Sequence, residues 1–131
     1  MIAVILLTAL LFTNPDGLPL GISDTYWVAI GKNSIGDERA RTVIYGLAGV
    51  FYVRESPEDV AAKFGAEFHF TNPDCSPLWV NDSSWVAVGP AFIGDPRAHT
   101  VIYTLARPFY VHEAPEDVLA KFGADKSNHL H

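Results

Sequence analysis

Short apolar segments alternate with polar, turn-forming segments along most of the chain. Segments of this length, rich in Val, Ile, Thr and aromatic residues and bounded by Gly, Pro, Asn or Asp, are typical of β-strands. Within residues 100–105 the pattern has a period of two, which places Val101, Tyr103 and Leu105 on one face of a strand. The pattern therefore predicts a mainly β protein with many short strands.

The whole pattern repeats after 58 residues. Residues 12–66 align with residues 70–124 without a gap, and 36 of the 55 aligned positions are identical. We therefore divide the chain into a first β-rich repeat, residues 1–66 (copy one), a second, residues 67–124 (copy two), and a polar tail, residues 125–131. Each copy is too short to bury a large core alone, so we expect the two copies to pack against each other.

Each copy is predicted to contain about five short antiparallel strands and then a short helix. The copy-two strands are expected near residues 68–71, 78–80, 85–88, 100–105 and 109–111. The fold class is thus mainly β (α+β), with two tandem pseudo-symmetric units. Because the junction at residues 65–67 has no flexible linker, we expect a pseudo-two-fold axis between the copies, as in a fused homodimer.

The predicted helices have clear boundary signals. In copy one, Ser56 is a good N-cap, Pro57 suits the first helical position, and Gly65 can end the helix. In copy two the cap position holds Ala114, which cannot accept a side-chain hydrogen bond. The paired acidic residues that open both helices complement the helix dipole, so they need no catalytic explanation.

The N-terminal segment, residues 2–12, is almost wholly apolar. It is shorter than the roughly 20 residues of a membrane-spanning helix and lacks the basic start of a signal peptide. We expect an over-long first strand that is buried on both faces, in a cytoplasmic protein. Export or membrane association through this segment is the alternative.

Charge and composition disfavour several classes of function. Residues 1–66 carry 5 basic and 7 acidic side chains, and residues 67–131 carry 4 and 8, which gives −2 and −4 and sums to the net charge of −6. No basic stripe is present, so nucleic-acid binding is disfavoured. The single cysteine, Cys75, replaces Gly17 of copy one and is interpreted as a turn residue.

No pattern for catalysis, a metal or a cofactor stands out. The chain lacks a phosphate-binding glycine loop, a nucleophile elbow and a metal-binding helix motif. His99 and His112 replace Arg41 and Arg54, which indicates solvated strand faces rather than metal ligands. We therefore expect a protein that is not an enzyme and binds no cofactor.

Two groups of residues are candidates for recognition. The motif Gly-Asp-x-Arg-Ala occurs in both copies and predicts a turn with a local contact between Asp37 and Arg39, and between Asp95 and Arg97; a ligand or partner contact is the alternative. Copy two also gains Trp79 and Phe92, where copy one has glycine and serine. Such aromatic gains fill a core or form an interface anchor.

Each copy resembles the small flagellar-operon family called FlbD or YlzI. The matching segments are residues 68–71, 78–82, 100–102, 109–113 and 116–118 of copy two and residues 52–58 of copy one. The resemblance implies one sheet with a terminal helix per copy and supplies no catalytic role. The pattern is also similar to LytTR-type DNA-binding domains, but the acidic charge argues against that function.

The sequence favours a non-enzymatic protein-interaction or assembly module that self-associates. The apolar content is 49% and the charged content only 18%, below the usual share of about 25%, so apolar surface should remain for a protein partner or a second copy. The alternative is a small-ligand-binding or regulatory domain that uses the two Gly-Asp-x-Arg-Ala loops.

Overall fold

The computed structural model describes residues 9–33, 37–92 and 94–123. The strands are β1 (Ala9–Thr13), β2 (Pro19–Ser23), β3 (Trp27–Lys32), β4 (Thr42–Gly46), β5 (Val50–Val53), β6 (His69–Thr71), β7 (Pro77–Val80), β8 (Trp85–Pro90), β9 (Thr100–Thr104) and β10 (Pro108–Val111). The helices are α1 (Pro57–Phe64) and α2 (Pro115–Lys121). The prediction of a mainly β fold with short terminal helices is confirmed.

The ends of the helices follow their sequence signals. The Asp59 N–H donates to Ser56 Oγ at 3.1 Å, and Gly65 adopts a left-handed conformation with φ of 67°. Ala114 makes no side-chain cap bond. Both helices are short, so packing against the strands is needed to stabilise them.

The strands form three antiparallel sheets. One contains β1 and β2, one has the order β10-β9-β8, and the largest has the order β5-β4-β3-β7-β6. The largest sheet crosses between the copies, because β3 of copy one pairs with β7 of copy two and Ile30 lies opposite Trp79.

This pairing between the copies is one-sided, which corrects the expected pseudo-two-fold arrangement. A two-fold axis relating the copies would also pair β8 with β2, since these strands correspond to β3 and β7. Among the described strands, β8 pairs only with β9, and β2 pairs only with β1. The contact is therefore heterologous: the copies use different surfaces to meet each other.

The buried side chains form two clusters, and β3 contributes to both. The first contains Val28, Ala29, Phe70, Leu78, Val80, Ile102, Phe109, Val111 and Val118. The second contains Phe12, Trp27, Ile30, Ile44, Val53, Val60 and Ala61. Since the first cluster combines two residues of copy one with seven of copy two, β3 is a structural part of both halves.

Several contacts recur 58 residues apart. The Glu55 carboxylate accepts hydrogen bonds from the N–H and hydroxyl of Thr13, and the Glu113 carboxylate accepts the same two bonds from Thr71. The ring stacks recur as well: Phe64 stacks on Trp27 with centroids 5.2 Å apart, and the matching pair in copy two stacks at 4.7 Å. Each copy thus joins its first strand to the segment before its helix, and its third strand to the helix, in the same way.

The first strand differs from its expected burial. β1 starts at Ala9 in the described residues, and Leu11 is 64% exposed, so the strand is covered on one face only. Residues 2–8 of the expected strand lie outside the described residues. No helix in the described part of the chain has the length and apolar content needed to cross a membrane.

Candidate interaction surface

Strands β3 and β8 have nearly the same sequence but different surroundings. β3 begins Trp-Val-Ala-Ile-Gly and lies inside a sheet, whereas β8 begins Trp-Val-Ala-Val-Gly and lies at a sheet edge. Val28 of β3 is 0% exposed, and the corresponding Val86 of β8 is 60% exposed. Burial of a valine is worth about 1.5 kcal/mol or more, so the β8 surface carries unused apolar area.

The partner strand explains why β3 is buried. The Asn81 N–H donates to the Val28 carbonyl at 2.8 Å, and Asn81 Nδ2 donates to the Trp27 carbonyl at 2.8 Å. Successive residues of an antiparallel strand direct their backbone groups to opposite sides, so the backbone of Ile30 also faces β7, opposite Trp79.

In β8 the corresponding backbone groups have no partner strand among residues 9–33, 37–92 and 94–123. Val86 and Val88 match Val28 and Ile30, and they face away from β9. Exposed strand edges of this kind are templates for pairing with another chain. Pro90, two residues after Val88, lies on the same edge and has no N–H, so the β8 edge offers one backbone donor fewer than β3, which has Lys32 at this position.

The sheet face next to this edge shows the same difference. In copy one, the Tyr45 ring packs edge-on against Phe109 of copy two, with centroids 4.9 Å apart, and the Arg107 guanidinium lies over both rings. In copy two, the corresponding Tyr103 is 48% exposed. We call the free β8 edge together with Val86 and Tyr103 the open face.

The two candidate aromatic residues, Trp79 and Phe92, differ in burial. Trp79 is partly buried and packs against the copy-one cluster from its position on β7. Phe92 is 92% exposed, so it fills no core. Trp79 therefore lies at the contact between the copies, and Phe92 is left as an exposed ring beyond the end of β8.

The two Asp–Arg loops each form a local turn, as predicted. Arg39 and Asp37 make a salt bridge of 3.2 Å, and Arg97 and Asp95 make one of 3.1 Å. The side-chain hydrogen bond from the arginine is the main reason that the pKa of both aspartates is lowered. Exposed pairs of this kind contribute little to stability, and their charges are already partnered.

An open pocket of about 420 Å³ lies beside the first of these loops. Its charged lining residues are Lys32, Asp37, Glu38, Arg41 and Glu58. Charges of both signs surround the pocket, so it has no strong preference for an anion or a cation. It is the geometric basis for the ligand-binding alternative.

The remaining polar candidates offer no assembled site in the described residues. His99 and His112 are exposed, as predicted, with ring centroids 4.9 Å apart. No group of three His, Cys, Asp or Glu side chains that could hold a metal occurs in residues 9–33, 37–92 and 94–123. Cys75 occupies a turn with φ of 76°, at the position where Gly17 has φ of 88°.

The residues of the open face were not singled out from the sequence. The sequence shows that β3 and β8 are matching apolar segments of the two copies. It does not show which of the two is left without a covering strand. No protein family model, curated protein or solved structure matches the chain.

Proposed function

We propose that this chain is a non-enzymatic protein-interaction or assembly module that associates with further copies of itself. The observation that carries the proposal is the open face: β8 exposes, at a sheet edge, a segment whose counterpart β3 is fully buried by a paired strand. An edge that is apolar and has free backbone groups favours addition of another strand.

The tandem duplication supports this function. One chain already contains one contact between copies, formed by β3 and β7. Because the copies already bind each other through strand pairing, a copy of a second molecule can be added through the same kind of contact. The resemblance to the FlbD or YlzI family, which has no catalytic role to transfer, is compatible with the proposal and stays a prediction.

The test is the mass of the chain in solution over a wide dilution range, measured by sedimentation velocity and light scattering. The expected result is a monomer at low concentration and larger species as the concentration rises. The matched variant is Val86→Lys, which places a charge on the open face and should shift association to higher concentration. A wild-type chain that stays monomeric throughout would contradict the proposal.

The second candidate function is binding of a small ligand at the pocket beside Asp37. It is favoured by the clustered charges of the pocket and by the repeated loop motif. Asp37→Asn should then reduce ligand-induced stabilisation against heat in a screen of small polar compounds, whereas Asp95→Asn should not. If no compound raises the unfolding temperature of the wild-type chain, this candidate loses its support.

A further inference from the structure

Among the described strands, β2 also has an edge without a paired strand, and β2 is the counterpart of β7. In β7, Leu78 and Val80 are buried, because β3 of the other copy covers that edge. In β2 the corresponding Leu20 and Ile22 are only half-buried, and Gly21 between them is exposed. The β2 edge thus has unused surface of the kind that β3 covers in β7.

The two free edges are complementary because the β3–β7 pair already shows how such edges fit. Resting on the proposed function, we infer that chains associate head to tail, with β8 of one molecule pairing antiparallel with β2 of the next. The internal register pairs Ile30 with Trp79, so the register between chains pairs Val88 with Gly21. The occupant of the open face is therefore a second copy of this chain.

Side chains around the two edges support the same match. The packing of Tyr45 against Phe109 would be reproduced between chains by Tyr103 of one molecule and Phe51 of the next. Phe51 is partly buried against the copy-one cluster. The exposed tyrosine thus belongs to copy two and its expected aromatic partner to copy one, as a head-to-tail contact requires.

The contact between chains is weaker than the one inside the chain. In the internal pair Asn81 Nδ2 donates to the Trp27 carbonyl, but the matching residue on β2 is Ser23, which has no side-chain amide. Trp79 is matched by Gly21, which contributes no side chain. Association should consequently be reversible and depend on concentration. A heterologous contact of this kind builds rings or open filaments, according to whether its rotation closes.

Two variants remove one edge each. Val88→Pro removes an N–H that faces away from β9 and so leaves the internal sheet intact, because proline is tolerated at a strand edge. Gly21→Pro does the same on β2, whose residue 21 faces away from β1. Each variant alone should be monomeric at concentrations where the wild-type chain assembles.

The decisive measurement is an equimolar mixture of the two variants. Gly21→Pro retains a free β8 and Val88→Pro retains a free β2, so the mixture should form a dimer with one chain of each and grow no further. Sedimentation velocity with one variant fluorescently labelled measures this. Persistent assembly of either variant alone, or a mixture that stays monomeric, would overturn the head-to-tail contact.

The outcomes separate this inference from the proposed function. A wild-type chain that never assembles refutes both, whereas a wild-type chain that assembles together with both proline variants refutes only the head-to-tail contact. Far-UV circular dichroism checks that each variant is folded. If a proline variant is unfolded, Val86→Lys and Gly21→Lys replace the pair, and the same mixture experiment is read in the same way.

Discussion

The Glu55 carboxylate accepts two hydrogen bonds from Thr13, one from its N–H and one from its hydroxyl, both of 3.0 Å. This contact joins β1 to the segment between β5 and α1, across 42 residues of sequence. Burial opposes the charge of Glu55, but the hydrogen bonds from Thr13 and its own backbone, with the nearby Lys63, lower its pKa below the usual 4.5.

The lowered pKa of Glu55 predicts how stability depends on pH. A carboxylate whose folded-state pKa is depressed stabilises the fold fully above its unfolded pKa, and this contribution is lost as the pH falls through the folded-state pKa. Glu55→Gln should therefore lower the free energy of unfolding by about 1 kcal/mol at neutral pH. The difference from wild type should shrink in acid below pH 4.5.

Urea unfolding at a series of pH values measures this difference. Glu67→Gln is the control, because Glu67 is exposed and its removal should leave the midpoint unchanged at every pH. An equal loss of stability for Glu55→Gln in acid and at neutral pH would show that its charge does not matter.

The two helix caps predict changes of opposite sign. Ser56 accepts a hydrogen bond from the Asp59 N–H, so Ser56→Ala should destabilise the chain by about 1 kcal/mol. Ala114 has the same extended backbone without a side-chain acceptor, so Ala114→Ser should stabilise by a similar or smaller amount. The denaturant midpoints of both variants test this, and unchanged midpoints would disprove the capping role.

Cys75 holds a backbone conformation that costs energy for any residue with a Cβ. Its φ of 76° lies in the left-handed region, which costs roughly 1 kcal/mol for most side chains. Cys75→Gly should thus raise the free energy of unfolding by about that amount, less the added flexibility of glycine in the unfolded chain. The reverse change at the matching turn, Gly17→Cys, should destabilise, and thermal unfolding under reducing conditions compares the two.

Phe92 is predicted to matter for association rather than for folding. Because its ring is 92% exposed, Phe92→Ser, which restores the copy-one residue, should change the free energy of unfolding by less than about 0.5 kcal/mol. The same variant should raise the concentration needed for assembly if the ring touches a partner. A large loss of stability would show that the ring is buried in the folded chain.

Giving β2 the side chains that β7 uses in the internal β3–β7 contact should strengthen association between chains. Gly21→Trp with Ser23→Asn gives β2 the side chains that Trp79 and Asn81 give β7. A Cβ at residue 21 would meet Leu11 Cδ2 at 3.8 Å, an ordinary contact, so a side chain can start at this position without a clash of its Cβ. The double variant should assemble at lower concentration than wild type in dilution series, and no shift would argue against the register that pairs residue 21 with β8.

The sequence predicted the elements well because their signals are local. Apolar alternation placed the strands, and Ser56 and Gly65 marked the ends of α1. Other features depend on where the strands lie in space, and no local pattern contains that information. They include the contact of Thr71 with Glu113, the exposure of Phe92 and the partial burial of Trp79. The exposed Leu11 shows the same limit, since an apolar segment does not reveal which of its faces has a neighbour.

The pairing of β3 with β7 was the main feature that the sequence could not predict. A repeat shows that two segments have equivalent partners, but it does not show whether a partner comes from the same copy or the other one. The choice depends on packing of the complete chain: Val28 and Ala29 enter the cluster formed chiefly by copy two. For the same reason the free β8 edge became visible only in the structure.

The dual role of β3 also affects how the chain is made. On the ribosome, β3 is synthesised well before β7, so a nascent chain carries this apolar strand with one edge unpaired until residues 77–80 emerge. During that interval a neighbouring nascent chain has the same unpaired β3 edge, and later it also contains a β7 that can pair with the β3 of the first chain. Exchange of β7 between chains would then give domain-swapped products, so slow or crowded synthesis should increase their yield relative to refolding at high dilution.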